Sequence, residues 1–337
     1  MDSFIRHEFI NSRALQYTYY ASPPANATAN GPALLLLHGF PDQATVWSAV
    51  VPFLLQLGLR ILIPDLLGYE GTSKPWAPQF FNSKAMADDL ADILSRENIA
   101  TVIPIGHDWG SFLAHRYYLF HPEHVPGIAI STLPLSGPFR TPINMSQIAA
   151  DREQKYGYPV GGYYTWFASP EAAQLFNGHP ESFFSAAYGK DNAMNETFGQ
   201  PLGMRDWLLS DKRREPQSWV SDPAILESAT ARFSQSGVFN SPMMWYRAYV
   251  ENVHLEAEKD LPAELDRVAV PLLHIAASED PTCPPEYYDD PEVRALFADL
   301  TAETLEATHF LPHQKPQEFA DIVVRWLEAK NLTAKAA

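Results

Sequence analysis

The sequence predicts an α/β fold with a mainly parallel sheet, helices on both faces of the sheet and a mostly helical insertion near the middle of the chain. Two observations predict the sheet: short apolar runs of strand length recur, and stretches of helical periodicity separate them. A third observation predicts the insertion. After Pro134 the sequence becomes aromatic and punctuated by proline and glycine, and strand-like runs resume only at Val270.

Strands and helices alternate most regularly in the first half of the chain. Strands are predicted at 33–37, 59–63, 101–105 and 127–131, and helices at 47–57, 83–96 and 111–120, with Ser83 as the N-cap of the second helix. In the last part, strands are predicted at 270–276 and 301–305, followed by a final helix at 316–329. This alternation is typical of a parallel sheet that is covered on both faces.

The insertion divides the predicted core into two segments. We expect an α/β core formed by residues 1–135 and 259–337, and a helical cap formed by residues 136–258. Open α/β sheets bind ligands at the carboxyl ends of their strands, so a cap inserted there is expected to cover the site as a lid.

Composition excludes several classes of protein. The 337 residues are 46% hydrophobic and 19% charged, which excludes a collagenous, coiled-coil or broadly disordered chain. A formal net charge of −16 disfavours nucleic acid and anionic membrane surfaces as partners. No apolar run approaches the roughly 20 residues that span a bilayer, and no secretory or transit segment is recognisable at the N-terminus, so a cytoplasmic protein is expected.

Neither a cofactor nor a metal ion is predicted. The sequence has no Gly-x-Gly-x-x-Gly dinucleotide turn and no Gly-x-x-x-x-Gly-Lys phosphate loop, and its histidines do not form a zinc pattern. The single cysteine, Cys283, excludes an intramolecular disulfide and is interpreted as an inert loop thiol. The sequence pattern leaves the oligomeric state open.

The segment Gly106-His107-Asp108-Trp109-Gly110 lies between a predicted strand and a predicted helix. In that position two glycines permit a tight turn, and the central residue is thrust out at the edge of the sheet in a strained conformation. An isolated aspartate of this kind is more often a turn former, but the position between strand and helix favours Asp108 as a nucleophile.

An aspartate nucleophile restricts the chemistry. A carboxylate that attacks a saturated carbon forms an alkyl ester, which water can then cleave at the acyl carbon, whereas a serine would form an inert ether. Asp108 therefore indicates a small-molecule substrate with an electrophilic saturated carbon and a leaving oxygen or halide.

Two later residues complete the order nucleophile, acid, histidine along the chain. His309 follows the predicted strand at 301–305, precedes the final helix and is the candidate base that activates water. Asp280 follows the strand at 270–276 and is the candidate acid that orients the imidazole, with the neighbouring Glu279 as a rival for that role.

The segment His38-Gly39-Phe40-Pro41 directly follows the first core strand, where a backbone N–H group can face the nucleophile turn. We expect the main-chain N–H groups of Phe40 and Trp109 to form an oxyanion hole for the intermediate in which water attacks the Asp108 ester. His38 is interpreted as a structural loop histidine.

These motifs resemble those of the α/β-hydrolase superfamily, and within it the branch of soluble epoxide hydrolases and haloalkane dehalogenases. The resemblance spans nearly the whole chain and rests on the segments 38–41, 65–69 and 106–110 and on the surroundings of Asp280 and His309. It implies an α/β-hydrolase fold, a cis peptide between Phe40 and Pro41, and hydrolysis of an epoxide to a vicinal diol.

The resemblance also implies two lid tyrosines that hydrogen-bond the oxirane oxygen. Tyr246 matches the second tyrosine motif and is the candidate proton donor. The segment 166–170 resembles the first motif but places Trp166 where the tyrosine is expected, and Tyr164 is the candidate replacement if its segment is bent. Packing within the lid is the alternative role of Tyr163, Tyr164 and Trp166. The candidate substrate-binding residues are Phe40, Trp109, Trp166 and Tyr246. Their aromatic side chains favour an apolar or aromatic epoxide.

A dehalogenase is the main alternative. It would use the same aspartate, with the indole N–H groups of Trp109 and Trp166 binding the departing halide. Many haloalkane dehalogenases carry a polar halide-binding residue where Phe40 stands here, and fluoroacetate dehalogenases place arginines beside the nucleophile, where this chain has Ser111 and Phe112. Both differences speak against this alternative.

A non-catalytic small-molecule receptor on the same fold is the third hypothesis. The complete set of Asp108, His309 and Asp280 argues against it, because a pure binding protein would not need all three residues.

Overall fold

The computed structural model describes residues 3–24, 31–191, 193–221 and 223–333, so the chain ends of both predicted core segments, 1–2 and 334–337, lie outside the described residues. The described strands form one sheet in the order β1-β2-β4-β3-β5-β6-β7-β8. Strands β1 and β2, and β2 and β4, pair antiparallel, whereas every other neighbouring pair is parallel. The predicted fold class, a mainly parallel α/β sheet, is confirmed. The strands are β1 (Ile5–Ile10), β2 (Gln16–Ala21), β3 (Ala33–Leu37), β4 (Ile61–Pro64), β5 (Val102–His107), β6 (Ile128–Ser131), β7 (Val268–Ala277) and β8 (Phe297–Leu305).

Helices cover both faces of the sheet. They are α1 (Val51–Leu54), α2 (Ser83–Arg96), α3 (Trp109–Phe120), α4 (Met145–Tyr156), α5 (Tyr164–Phe167), α6 (Pro170–Gly178), α7 (Pro180–Tyr188), α8 (Ala193–Thr197), α9 (Gly203–Leu209), α10 (Pro223–Phe233), α11 (Met243–Val250), α12 (Leu255–Glu258), α13 (Pro291–Arg294), α14 (Leu311–Gln314) and α15 (Pro316–Ala329). Short 3-10 turns, such as Ala44–Ala49 and Pro122–His124, connect several of them.

The pleat of the central strand β3 separates two hydrophobic cores. Leu35 and Leu37 pack on the face covered by α2 and α3, while Leu34 and Leu36 pack on the opposite face, covered by α1 and α15. All four side chains are fully buried, because successive residues of a strand point to opposite faces and both faces carry helices. The buried strand therefore reads as a continuous apolar run.

Two local predictions were wrong for reasons visible in the backbone. The helix predicted at 47–57 is broken into two 3-10 turns and the four-residue α1, because Pro52 has no N–H group to continue a helix from the preceding turn. The N-cap of α2 is Asn82 rather than Ser83: the Asn82 side chain accepts hydrogen bonds from the backbone N–H groups of Lys84 and Ala85.

The insertion lies between two strands that are neighbours in the sheet. Strands β6 and β7 pair in parallel through Ile128 and Leu272, and the regular elements described between them are α4 to α12 and two 3-10 turns, with no named strand. The predicted helical character of this segment agrees with the structure. Its assignment as a separate cap at 136–258 stays a prediction. No helix within the described ranges is long and apolar enough to cross a membrane.

Candidate active site

Asp108 occupies the turn between β5 and α3 with φ 52° and ψ −123°, a backbone conformation that L-residues rarely adopt. The flanking glycines are required by close packing. A Cβ atom on Gly106 would overlap the backbone of Gly110, and a Cβ atom on Gly110 would overlap the carbonyl group of Leu37. The sequence Gly-x-Asp-x-Gly therefore folds into a turn that stores backbone strain of about 1 to 3 kcal/mol and presents the aspartate side chain.

The two oxygens of the Asp108 carboxylate have different surroundings. The backbone N–H of Phe40 donates a hydrogen bond of 2.7 Å to Oδ1, and the backbone N–H of Trp109 also stabilises the carboxylate. Gly39 makes this approach possible, because a Cβ atom there would overlap the Asp108 side chain. The peptide bond between Phe40 and Pro41 is cis, as the resemblance implied. The N–H of Phe40 thus faces Oδ1, and the N–H of Trp109 acts on the same carboxylate.

His309 and Asp280 lie on the other side of the carboxylate. The Nε2 atom of His309 is 3.6 Å from Oδ2 of Asp108, and its Nδ1 atom is 2.8 Å from Oδ2 of Asp280. All three side chains are nearly inaccessible to solvent. The structure therefore brings together the three residues that the sequence order suggested, with the imidazole between the two carboxylates.

Thr282 is a site residue that the sequence analysis missed. Its backbone N–H and its hydroxyl each donate a 2.8 Å hydrogen bond to Oδ1 of Asp280, and the hydroxyl oxygen lies 3.0 Å from Nδ1 of His309. This arrangement fixes the rotamer of Asp280, so that Oδ2 points at the imidazole. Two residues after an aspartate is the usual position of the N–H group in an Asx turn, which is a signal that the sequence did contain.

Glu279, the rival acid, is exposed, and its backbone N–H donates to the carbonyl of Ala307. His38 is buried, and both of its ring nitrogens contact the backbone: Nε2 accepts from the N–H of Leu66 at 2.9 Å, and Nδ1 lies 3.0 Å from the carbonyl oxygen of Gly39. Burial lowers the pKa of His38 to about 4. The ring is therefore neutral and structural, in agreement with its interpretation as a loop histidine.

The charges of the site are set by burial and by mutual attraction. Burial raises the pKa of Asp108 to about 6, although His309 and the N–H groups of Phe40 and Trp109 act in the opposite direction. Burial lowers the pKa of His309, but the carboxylates of Asp280 and Asp108 outweigh burial and raise it to about 9. Near neutral pH, Asp108 is ionised and His309 carries a proton.

Tyr246 and Tyr164 enclose the other side of the site. The Tyr246 ring lies 5.1 Å from the Trp109 ring and 5.5 Å from the Phe40 ring, and the Tyr164 ring lies 5.1 Å from that of Tyr246. Burial, reinforced by the negative charge of Asp108, raises the pKa of both phenols well above their usual range. Both hydroxyl groups thus remain protonated hydrogen-bond donors.

Trp166 is not brought to the site, and its prediction as a substrate-binding residue and halide ligand is corrected. Its indole N–H donates a 2.8 Å hydrogen bond to Oε2 of the exposed Glu171, and its ring packs against Phe167 and Phe176. The reason is helical geometry. Residues two apart on α5 point in different directions, so Tyr164 faces Trp109 while Trp166 is buried against Phe176.

Tyr163, for which lid packing was the alternative to a catalytic role, lies beside Tyr246. Its ring packs 6.1 Å from that of Tyr246 and 4.8 Å from that of Phe167. Burial raises its pKa well above the usual range, and the phenols of Tyr164 and Tyr246, followed by the charges of Asp108 and Asp280, add to this effect. The adjacent tyrosines 163 and 164 therefore both belong to the surroundings of Asp108.

Two further features bear on what the site can bind. The indole N–H of Trp109 is buried and has no hydrogen-bond partner among the described residues. Within the same ranges, no group of three or more His, Cys, Asp or Glu side chains is arranged to hold a metal ion. The polar groups described at the site are thus two carboxylates, an imidazole, the Thr282 hydroxyl, phenols and backbone or indole N–H groups.

Comparisons with known proteins place this geometry in a family. A family model described as alpha/beta hydrolase fold matches residues 32–316. The chain is 29% identical over 343 residues to epoxide hydrolase srdG of Neurospora crassa, a match that covers 97% of this chain and 96% of the relative. It is 27% identical over 303 residues to bifunctional epoxide hydrolase 2 of Rattus norvegicus, where the match covers 89% of this chain but only 52% of the relative.

Solved structures show the same fold. The structure titled epoxide hydrolase from an endophytic Streptomyces superimposes with a TM-score of 0.76 at 20% identity, covering 99% of this chain and 98% of the other. Epoxide hydrolase A from Mycobacterium thermoresistibile superimposes with a TM-score of 0.73 at 22% identity, covering 96% and 98%. Because the family model spans most of the chain, including the turn around Asp108 and the loop of His309, the chain belongs to the α/β hydrolase fold family.

Proposed function

We propose that this protein is an epoxide hydrolase that opens an epoxide to a vicinal diol through a covalent ester on Asp108. The observation that carries the proposal is the asymmetry of the Asp108 carboxylate: Oδ1 accepts the N–H of Phe40, while Oδ2 lies 3.6 Å from His309 and is free to attack. The family membership and the epoxide hydrolase names of the relatives support the same conclusion.

In the first step, Oδ2 of Asp108 attacks a carbon of the oxirane ring, and the carbon–oxygen bond of the ring breaks. The ring oxygen leaves with the electron pair as an alkoxide, which takes a proton from the phenol of Tyr246, with the pair Tyr163 and Tyr164 supplying the second hydroxyl. These phenols suit the role because burial keeps them protonated near neutral pH. The product of this step is an alkyl ester of Asp108.

Formation of the ester switches His309 into its catalytic state. Asp108 loses its negative charge in the ester, so one of the carboxylates that raise the pKa of His309 disappears. The phenolate formed in the first step takes up the proton that His309 gives up. The neutral imidazole, still oriented by Asp280 and Thr282, can then remove a proton from water.

In the second step, this water attacks Cγ of the ester. The oxyanion develops on Oδ1, the atom that already accepts the N–H of Phe40, so the donors need no reorganisation. One such donor contributes about 3 to 4 kcal/mol in comparable sites. Collapse of the tetrahedral intermediate breaks the bond between Cγ and the ester oxygen. The departing alkoxide takes the second proton of the attacking water, which releases the diol, restores the carboxylate and leaves His309 protonated as before.

We propose that the helical segment 136–258 is the cap that encloses the substrate, since it contributes Tyr163, Tyr164 and Tyr246 to the surroundings of Asp108. The substrate is a small molecule whose reacting part contacts the cluster of rings formed by Phe40, Trp109 and Tyr246, which pack directly on one another. These rings suit an apolar or aromatic group next to the epoxide.

One observation favours a dehalogenase as the second candidate. The indole N–H of Trp109 is buried without a partner in the described part of the chain and could bind a departing halide. The second expected halide ligand, Trp166, is instead hydrogen-bonded to Glu171. We therefore rank this function below epoxide hydrolysis.

A single turnover in H₂¹⁸O tests the proposal. The label is expected in the Asp108 carboxylate, detected by peptide mass spectrometry, while the first diol carries the enzyme's own oxygen. Label that appears only in the diol, together with retained activity of Asp108→Ala, would disprove the covalent mechanism. Parallel assays of a styrene-type epoxide and a short haloalkane, reading diol and halide, separate the two enzymes, and saturable binding without any product would indicate a receptor.

A further inference from the structure

A narrow cavity adjoins the proposed catalytic residues. Trp109 and Thr282 line it, and Phe112, Tyr164 and Tyr249 contribute aromatic walls. Trp109 follows the nucleophile directly in the chain, and the hydroxyl of Thr282 contacts both Asp280 and His309. The cavity is narrow, with a volume of about 20 Å³, so a substrate whose epoxide reaches Asp108 can extend its remaining part into it only when the lining side chains move apart.

Two arginines, Arg116 and Arg152, also line the cavity. The charge of Arg116 is neutralised, because its Nε and Nη2 atoms each lie 3.2 Å from an oxygen of Glu258. Arg152 differs. It is half-buried on α4, its Nη1 atom donates one 3.3 Å hydrogen bond to the carbonyl of Val160, and it forms no ion pair with any carboxylate in the described ranges.

Most arginines of the insertion have an acidic partner. Arg140, Arg205 and Arg214, which belong to the same insertion, each pair with a carboxylate. The chain as a whole has 40 acidic and 24 basic residues, so carboxylates are abundant. The Arg152 guanidinium is therefore a positive group in a cavity of an acidic protein, and most of its five N–H donors remain available.

The charge of Arg152 acts on the walls of the same cavity. Burial raises the pKa of Tyr164 and Tyr249, and the charge of Arg152 opposes part of that rise. A planar guanidinium binds a carboxylate through two parallel hydrogen bonds. A monoanion also suits this protein better than a dianionic phosphate, because its net charge of −16 repels multiply charged anions.

We propose that Arg152 binds a carboxylate group of the substrate at a position remote from the epoxide, and that carboxylate-bearing epoxides are therefore preferred to their neutral counterparts. The inference rests on the proposed epoxide hydrolysis and refines the apolar substrate expected from the sequence: an apolar group lies next to the reacting carbon, and the anionic group lies against Arg152. Met145 lines the same cavity, and its flexible thioether chain can move aside to admit the substrate.

A matched pair of substrates tests this inference: the terminal epoxide of a medium-chain fatty acid and its methyl ester. For the native enzyme, kcat/KM is expected to favour the acid about ten-fold, the usual size of one charge-assisted interaction. Arg152→Gln is expected to reduce this ratio to about one, mainly through KM of the acid, and Arg152→Lys to keep part of it. The control Arg205→Gln removes the same charge from an exposed pair with Glu171 and should keep the native ratio.

The inference is wrong if the native enzyme hydrolyses acid and ester equally, or if Arg152→Gln retains the preference. Binding of the saturated fatty acid, measured by tryptophan fluorescence, separates this failure from failure of the proposed function. A protein that binds the saturated acid through Arg152 but opens neither epoxide would overturn the proposed epoxide hydrolysis and not the carboxylate site.

Discussion

Arg116 and Glu258 form an ion pair with two contacts of 3.2 Å in which both side chains are buried. Arg116 lies on α3, the helix that starts after Asp108, and Glu258 ends α12. Glu258 lies at the end of the insertion, and the same ion pair also contacts its start. Arg116 donates to the carbonyl of Gly137, and Glu258 accepts from the N–H of Phe139. One ion pair thus joins both ends of the helical insertion to the helix that carries the nucleophile turn.

We therefore predict that Glu258→Gln destabilises the protein strongly. Removing one partner leaves the other charge buried and uncompensated, which costs about 3 to 5 kcal/mol. Urea unfolding followed by tryptophan fluorescence measures this loss. The matched control is Glu171→Gln, which breaks an exposed pair with Arg205 and should change the unfolding midpoint little. Equal midpoints for both variants would show that the buried pair does not hold the insertion.

His309→Gln is predicted to block the second step while leaving the first intact. Asp108 can still attack the epoxide, but no base remains to activate water, so the alkyl ester should accumulate. Intact-protein mass spectrometry is expected to show an adduct with the mass of the substrate, formed once per enzyme molecule. Asp108→Ala should form no adduct, and an adduct on that control would place the covalent bond elsewhere.

The rate of the first step is predicted to fall as the pH falls through about 6. The nucleophile must be ionised, and the pKa of Asp108 is raised to about 6 by burial, so protonation removes the nucleophile at a higher pH than for an ordinary aspartate. The acid limb of kcat/KM against pH measures this value. A limb near pH 4 would contradict it and would mean that the carboxylate is better stabilised than its burial implies.

Substitution of the lid tyrosines is predicted to slow the first step, whereas substitution of Trp166 is not. Tyr246→Phe should slow the first step by about 100 times, because the leaving oxygen loses a proton donor, and the double variant Tyr163→Phe with Tyr164→Phe should slow it by a similar factor. Trp166→Phe, the control, removes an indole that is hydrogen-bonded to Glu171 and should leave the rate unchanged. Stopped-flow measurement of ester formation distinguishes these variants. A reduced rate of ester formation in Trp166→Phe would show that Trp166 takes part in the first step.

Sequence patterns predicted the structure most accurately at positions where backbone geometry requires particular residues. The turn around Asp108 was recognisable because only glycine fits at positions 106 and 110, where any side chain would overlap the neighbouring backbone. Asp280 and His309 were recognisable from their positions after strands. The buried strands were also clear, since β3 and β4 are apolar throughout.

Other features depend on contacts that no local pattern encodes. Strand β1 escaped prediction because it lies at the sheet edge with mostly exposed residues and therefore carries little apolar signal. Trp166 and Tyr164 could not be distinguished until the start of α5 fixed which of them turns inwards. Arg152 comes from a helix far along the chain from the nucleophile, so only the packing of α4 shows that it lines the same cavity as Trp109.

The hydrogen bond from the N–H of Phe40 to Oδ1 of Asp108 distinguishes the two carboxylate oxygens, so only one of them is expected to exchange with water during catalysis. In each proposed catalytic cycle, Oδ2 leaves with the diol and an oxygen atom from water replaces it. Oδ1 remains hydrogen-bonded to the backbone and does not exchange. If the carboxylate cannot rotate about its Cβ–Cγ bond, prolonged turnover in H₂¹⁸O labels one oxygen of the side chain, and Oδ1 keeps the oxygen incorporated during biosynthesis.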